Sequence, residues 1–296
     1  MSMEPPIEPD ESDCCNSGCN PCILDVYEDQ LKKYKQRISN SLMTKNNCIS
    51  PTSYTVFKLI NIEKQSEQAF LFTFEYCRPH KGQPIDDVNL SYKPGQHFLM
   101  KGKNYSEEFT RAYTPIPVEN QSKLQFTTLI KLYEYGTMSN YLKKIAVRRE
   151  TLWRGPYGDF TINYDVQDML LIAQGTGIAP LYSIIHDIIN NEDCYTFLKL
   201  FFCCKDYESI YLREQLYKLS TYWNFTYEVF LSKSEGISPK YNETIHSGKL
   251  GYDGIQTYLK DKNSVNVLIC GSENFMEDVK RNVLRCNVKE EDVFTF

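Results

Sequence analysis

The chain has no apolar run long enough to cross a bilayer. Its longest, Met169–Ala173 and Val265–Cys270, are strand length, against the ~20 residues that a membrane helix requires. The start, Met-Ser-Met-Glu-Pro-Pro, lacks a basic segment followed by an apolar one, and Ser2 stands where myristoylation needs glycine. Export is therefore not expected, and the cytoplasm is the expected compartment. Excess positive charge is missing too: the formal net charge is −5, whereas phosphate-backbone binding relies on clustered Lys and Arg, so no nucleic-acid role is expected. Histidine is limited to His80, His97, His186 and His246, scattered without metal-ligand spacing. The eleven cysteines are an odd number. Without an export signal, thiols or a metal site outrank disulfides, and the sequons at Asn104, Asn120, Asn224 and Asn242 should be silent.

Apolar residues, in contrast, make up 42% of the 296 positions, with 16 Phe and 22 Tyr, ample material for buried cores. The length predicts two globular units and a short tail, with no partner copy required, so a monomer is expected. Residues 1–45 form the tail: an acidic, Pro-rich lead-in to residue 13, then Cys14, Cys15, Cys19 and Cys22, then a short surface helix over Asp25–Arg37. A polar linker, Ser39–Ser50, follows. Residues 50–162 carry short alternating runs such as Phe70–Phe74, His97–Met100 and Leu124–Leu132 between Pro-Gly and Asn turns, the pattern of a small antiparallel β-barrel. One helix, Met138–Ile145, should interrupt it.

Residues 165–296 alternate apolar strands with helices. Strands are predicted at 169–173, 197–203, 225–231 and 265–270, and helices at 180–190, 208–220, 253–260 and 273–284. This is the texture of an α/β domain with a parallel sheet.

Four motifs punctuate this plan in fixed order. Arg111-Ala-Tyr-Thr-Pro115 should sit at a strand end, with Arg111 and Tyr113 on one face and Thr114 on the other. It offers a cation for a phosphate, an aromatic surface for a planar ring system and a hydroxyl donor. Gly136-Thr137-Met138-Ser139 opens the barrel's helix, where free N–H groups and the positive dipole end suit a pyrophosphate. Gly175-Thr176-Gly177-Ile-Ala-Pro180 joins a buried strand to a helix, where a nucleotide lies over strand C-termini. It is not Gly-X-Gly-X-X-Gly, so the dinucleotide fingerprint does not strictly apply. Cys270-Gly271-Ser272 ends the last predicted strand at the same sheet edge. Each string alone reads as a turn, a cap or a core residue. Their shared order gives them weight.

With these motifs in place, residues 54–296, about four fifths of the chain, resemble the NADH–cytochrome b5 reductases of the ferredoxin-NADP reductase superfamily. The flavin motif of that family matches Arg111, Tyr113 and Thr114, its Lys-X-Tyr strand matches Lys131 and Tyr133, and its Gly-X-Met-Ser loop matches Gly136, Met138 and Ser139. The nicotinamide motifs match Gly175, Thr176, Gly177 and Pro180, then Cys270 and Gly271, and the chain ends in an aromatic, Phe296.

The resemblance implies FAD between barrel and sheet domain, NAD(P)H as hydride donor and a separate haem protein such as cytochrome b5 as one-electron acceptor. It makes Thr176 the flavin–nicotinamide contact and Cys270 an aligning residue rather than a nucleophile. One position departs from the family: an Asp expected after the strand that meets the adenosine ribose is replaced by Ser232-Lys233, which leaves NADPH open.

Residues Pro5 to Tyr34 resemble a short oxidoreductase-like N-terminal domain. Two readings of its four cysteines stand: a zinc or iron-sulfur site, or a thiol-rich docking tag without metal. An alternative function follows, with this module as the working part and the reductase fold as scaffold. The basic run Lys143–Arg149 reads as a solvated helix face or as a dock for an acidic haem protein.

Overall fold

The computed structural model describes residues 47–77, 88–233, 238–262 and 264–296, with Pro6, Glu8, Pro9, Tyr27, Glu28 and Leu31 ahead of them. Two compact units divide the chain, residues 1–48 with 81–91, and residues 49–80 with 92–296. In the first unit, the Cys48 N–H donates to the Asn89 carbonyl at 2.8 Å, and Asn47 exchanges two hydrogen bonds with the Ser91 backbone. Tyr27, Glu28 and Leu31 are helical, within the predicted helix. Cys14, Cys15, Cys19 and Cys22 lie outside the described residues.

The second unit begins with seven strands in the order β4-β3-β7-β1-β2-β6-β5. They are β1 (Thr55–Lys64), β2 (Ala69–Tyr76), β3 (His97–Lys103), β4 (Glu108–Tyr113), β5 (Pro115–Ile116), β6 (Gln125–Lys131) and β7 (Glu150–Tyr157), all paired antiparallel. Alternation along these strands sends aromatic side chains inward: Phe57, Phe74, Phe98, Phe126 and Trp153 are fully buried. Phe98 on β3 and Phe126 on β6 lie four strands apart in the sheet, about 19 Å if it were flat. Their ring centroids are 5.0 Å apart, so the sheet wraps on itself as the predicted barrel does. The Trp153 indole N–H donates to Thr151 Oγ1 at 2.9 Å, and that hydroxyl donates to the Phe57 carbonyl. The polar edge of the largest core residue is thereby satisfied.

The remaining strands form a six-stranded parallel sheet in the order β11-β10-β9-β8-β12-β13. They are β8 (Asp168–Gln174), β9 (Phe197–Cys204), β10 (Phe225–Leu231), β11 (Thr244–Ser247), β12 (Val265–Cys270) and β13 (Val293–Thr295). The chain adds strands outward from β8 to β11, then returns to the other side of β8 with β12. The switch point between β8 and β12 opens a crevice at their carboxyl ends. Helices α2 (Ile178–Ile189) and α3 (Arg213–Leu219) pack one face, and α4 (Tyr252–Leu259) and α5 (Glu273–Arg285) the other. The barrel's helix is α1 (Thr137–Leu142).

Barrel and sheet share a core. Ala69, Leu71, Ile116 and Leu129 from the barrel pack in the same cluster as Leu181, Tyr182 and Ile185 of α2, and the Ser183 hydroxyl donates to the Pro115 carbonyl at 2.8 Å. The relative placement of the two lobes is thus set by packing as well as by the connecting chain.

Two expectations are corrected. The predicted helix 208–220 is split into a 3-10 turn at Tyr207–Ser209 and α3, because Leu212 takes a left-handed φ of 56° while its side chain and that of Tyr211 enter the core. Strands β11 and β13 escaped prediction, being only 4 and 3 residues long. Among the described residues no helix is long and apolar enough to span a membrane.

Candidate functional site

Between barrel and sheet lies a cleft of about 1220 Å³, above the roughly 300–1000 Å³ of an ordinary small-ligand pocket. Every sequence-predicted site residue lines it. The barrel contributes Arg111, Tyr113 and Thr114 from the β4 end, Lys131 and Tyr133 from the β6 end, and Gly136, Thr137, Met138 and Ser139 at the start of α1. The sheet contributes Gly175, Thr176, Gly177 and Pro180 after β8, and Cys270 and Gly271 after β12. Thr114 was expected on the opposite face from Tyr113; β4 ends at Tyr113, alternation stops there, and Thr114 reaches the cleft as well.

On the barrel side the charges are available. The Arg111 guanidinium donates to the neighbouring Thr110 carbonyl at 2.7 Å, and among the described residues it forms no ion pair. The Lys131 ammonium stands 5.4 Å from the Tyr133 ring centroid, and among the described residues it too has no acid partner. Gly136 is the N-cap of α1 and has no side chain to cap it, and among the described residues no side chain takes up the first N–H groups, so they keep their donor capacity. The Ser139 hydroxyl accepts from the Tyr133 N–H at 2.9 Å, which ties the β6 end to the helix start. A Cβ at Gly136 would sit 2.9 Å from that Ser139 oxygen. Tyr113 packs edge-on against Trp153 at 6.0 Å, and burial pushes its phenol above the usual range, so it stays neutral.

The sheet side is built by close backbone approach. Gly177 abuts the end of β12: a Cβ there would lie 2.5 Å from the Cys270 carbonyl oxygen. At Gly271 it would lie 2.6 Å from Phe275 Cδ1 and 2.8 Å from Gln174 Cβ. Gly175 has φ +55° and nothing within 4 Å of its Cβ position, so its backbone faces open space. Gln174 Oε1 accepts from the Ser272 hydroxyl at 2.7 Å and the Ser272 N–H at 3.2 Å, clamping the two loops across the switch point. Burial pushes the Cys270 thiol up to about 12, which keeps it protonated at neutral pH.

Sequence reasoning did not reach Gln174, His97, Phe160 or Lys205, all of which line the cleft. His97 is lowered in pKa by burial and stacks near Tyr157 at 5.8 Å. Phe160, Phe294 and Phe296 form an aromatic wall with centroids 4.8–5.2 Å apart. The aromatic C-terminus was the sole sequence signal for that wall.

The arrangement fits a flavin and a nicotinamide nucleotide: uncommitted cations and helix N–H groups on one side, an open glycine edge on the other. A wrapped antiparallel lobe joined in this way to a parallel lobe defines a two-domain flavin- and nicotinamide-binding oxidoreductase.

Comparison with known proteins agrees. Residues 57–162 match the oxidoreductase FAD-binding domain, residues 171–281 the oxidoreductase NAD-binding domain, and residues 3–42 the oxidoreductase-like protein N-terminal family. A human NADH-cytochrome b5 reductase-like protein is 33% identical across 98% of this chain and 94% of its own length. Among solved structures, the CS-b5R domains of human Ncb5or in the NAD+ form share 25% identity with a TM-score of 0.69, over 82% of this chain and 69% of that one. The cytochrome b5 reductase domain of Ulva prolifera nitrate reductase superposes with a TM-score of 0.70 at 20% identity, over 84% of this chain and 100% of that domain. The chain belongs to the NADH-cytochrome b5 reductase-like family of FAD- and NAD-binding oxidoreductases.

Proposed function

We propose that this chain oxidises a reduced nicotinamide nucleotide at FAD held in the cleft and passes the electrons one at a time to a haem protein such as cytochrome b5. FAD supplies the step from two-electron to one-electron chemistry when bound.

The chain's own residues do the rest. Arg111 and the free N–H groups of Thr137, Met138 and Ser139 hold the flavin's phosphates, Lys131 adds charge, and Tyr113 and Thr114 pack and hydrogen-bond the ring system. Tyr133 flanks it. On the other side Gly175, Gly177, Pro180 and Gly271 allow the nucleotide to approach the backbone, and Thr176 meets both rings. Cys270, kept as a thiol by burial, packs beside the nicotinamide and aligns it without attacking it. Phe160, Phe294 and Phe296 keep water from the reacting edge.

The observation that supports this reading most directly is that four motifs separated by up to about 160 residues line one cleft. The test is an anaerobic titration of the purified flavoprotein with NADH, followed by oxidised cytochrome b5. Bleaching of the flavin band and then reduction of the haem is expected. A protein that binds no flavin when FAD is supplied would overturn the proposal, and bleaching without haem reduction would overturn the choice of acceptor.

A further inference from the structure

The cleft continues beyond the glycine loop across the carboxyl ends of β9 and β10, where the lining residues include Cys203, Lys205, Phe230, Ser232, Lys249 and Leu250. From β12 to β10 is three strand spacings, about 14 Å, so this corner and Cys270 mark opposite ends of the crevice.

Backbone hydrogen bonds fix the corner's parts. The Ser232 and Lys233 N–H groups donate to the Cys204 and Lys205 carbonyls at 3.1 and 2.8 Å, and the Ser232 hydroxyl donates to the Lys205 carbonyl at 3.2 Å. The Gly248 N–H donates to the Leu231 carbonyl at 2.7 Å, which carries Lys249 to the same edge.

Among the described residues, cations dominate this corner. Lys205, Ser232, Lys233 and Lys249 are all exposed, and among the described residues none of the three lysines has an ion-pair partner. Two of the nearby described acids are engaged or lie off the cleft. Glu228 is held by Lys199 and His246, each at 2.6 Å. Asp206 accepts from the Ser209 hydroxyl at 2.5 Å and does not line the cleft. Asp278, the acid among the described lining residues, comes from α5, the helix that follows β12. A dinucleotide fold that selects against a 2′-phosphate does so with a carboxylate that accepts from the ribose 2′-OH; replacing it with cations reverses that preference.

From this corner we infer that Lys205 and Lys249, with the Ser232 hydroxyl, form a pocket for the 2′-phosphate of the adenosine ribose, so that the chain takes NADPH as hydride donor. The inference rests on the cleft being the nicotinamide nucleotide site. Cations at the adenosine end set affinity for the donor, while the hydride leaves from the other end, about 14 Å away. The preference therefore appears in binding and KM more than in the rate of flavin reduction at saturation.

The experiment is calorimetric binding of 2′,5′-ADP and of 5′-ADP to the purified, FAD-loaded full chain, at low and high salt. 2′,5′-ADP should bind about tenfold more tightly, with an advantage that shrinks as salt rises. In Lys205→Gln/Lys249→Gln the ratio should fall to near one, and Ser232→Asp should invert it. All three positions are exposed, so folding is not at risk, and Lys249→Arg should retain the preference. Equal affinities, or tighter 5′-ADP, in the parent protein would overturn the 2′-phosphate pocket while leaving the nucleotide site standing. Binding of neither ligand, together with no bleaching by NADH, would overturn both.

Discussion

Replacing Gly177 with alanine tests whether close approach of two loops sets the geometry of hydride transfer. The new Cβ would lie 2.5 Å from the Cys270 carbonyl oxygen, 2.7 Å from its carbon and 3.0 Å from the Gly271 nitrogen. All three are backbone atoms, so no side chain can rotate away. β12 is paired on both sides, with β8 and β13, and Ile178, next to Gly177, is fully buried. Restoring ordinary contact at about 3.4 Å requires the loop to retreat by about 0.9 Å, and a misplacement of that order costs about 100-fold in rate. Overpacking adds roughly 1–3 kcal/mol of destabilisation.

The assay is anaerobic stopped-flow bleaching of bound flavin at saturating donor, with flavin content measured beforehand. The barrel-side phosphate contacts are untouched, so flavin content should hold while the rate falls about 30- to 100-fold. Gly175→Ala is the contrast: its Cβ meets nothing within 4 Å, and the cost is confined to a left-handed φ of +55°, roughly 1–2 kcal/mol of stability. A Gly177→Ala rate within threefold of the parent would refute the reasoning, as would a larger loss in Gly175→Ala.

Arg111→Ala removes the unpaired guanidinium at the barrel mouth; FAD affinity should drop ten- to a hundredfold, from about 1.5–3 kcal/mol for charge-assisted hydrogen bonds, and an unchanged flavin-to-protein ratio after gel filtration would sink the assignment. Cys270, with its thiol raised to about 12 by burial, should resist iodoacetamide at pH 7, and Cys270→Ala should slow flavin reduction by no more than tenfold; a thousandfold loss would give the thiol a chemical role. Glu243 is fully buried at its side chain. Burial pushes its carboxyl up, but hydrogen bonds from Arg213, the Lys240 N–H and the Tyr227 hydroxyl outweigh that and hold it below the usual range. Its contribution is complete above the unfolded carboxylate pKa of about 4.3 and is lost as pH falls through the lowered folded value. Glu243→Gln should cost roughly 3–5 kcal/mol at pH 7 and flatten the acid limb of stability in urea unfolding; parallel pH profiles for parent and variant would contradict this.

Local pattern carried much of the architecture. Strands β10 and β12 stand where apolar runs bounded by turn residues placed them, since a buried parallel strand reads as a continuous apolar run whatever surrounds it. Helices α2, α4 and α5 begin and end within two residues of expectation because their apolar spacing is intrinsic to the segment. The glycines were legible as well, and the resemblance they carried gave each a side of the cleft.

Other features depended on neighbours. β13 exists because β12 offers an unpaired edge, and three residues carry no periodicity of their own. Leu212 turns left-handed because the core takes its side chain, which no propensity records. The wrapping that puts Phe98 against Phe126, the Gln174 clamp on Ser272, and the meeting of Lys205 with Ser232 and Lys249 join residues 27 to 98 positions apart. Sequence determined most of the strands, helices and glycine turns. Tertiary packing decided which of them face one another, because long-range pairing depends on the shape left by every other element.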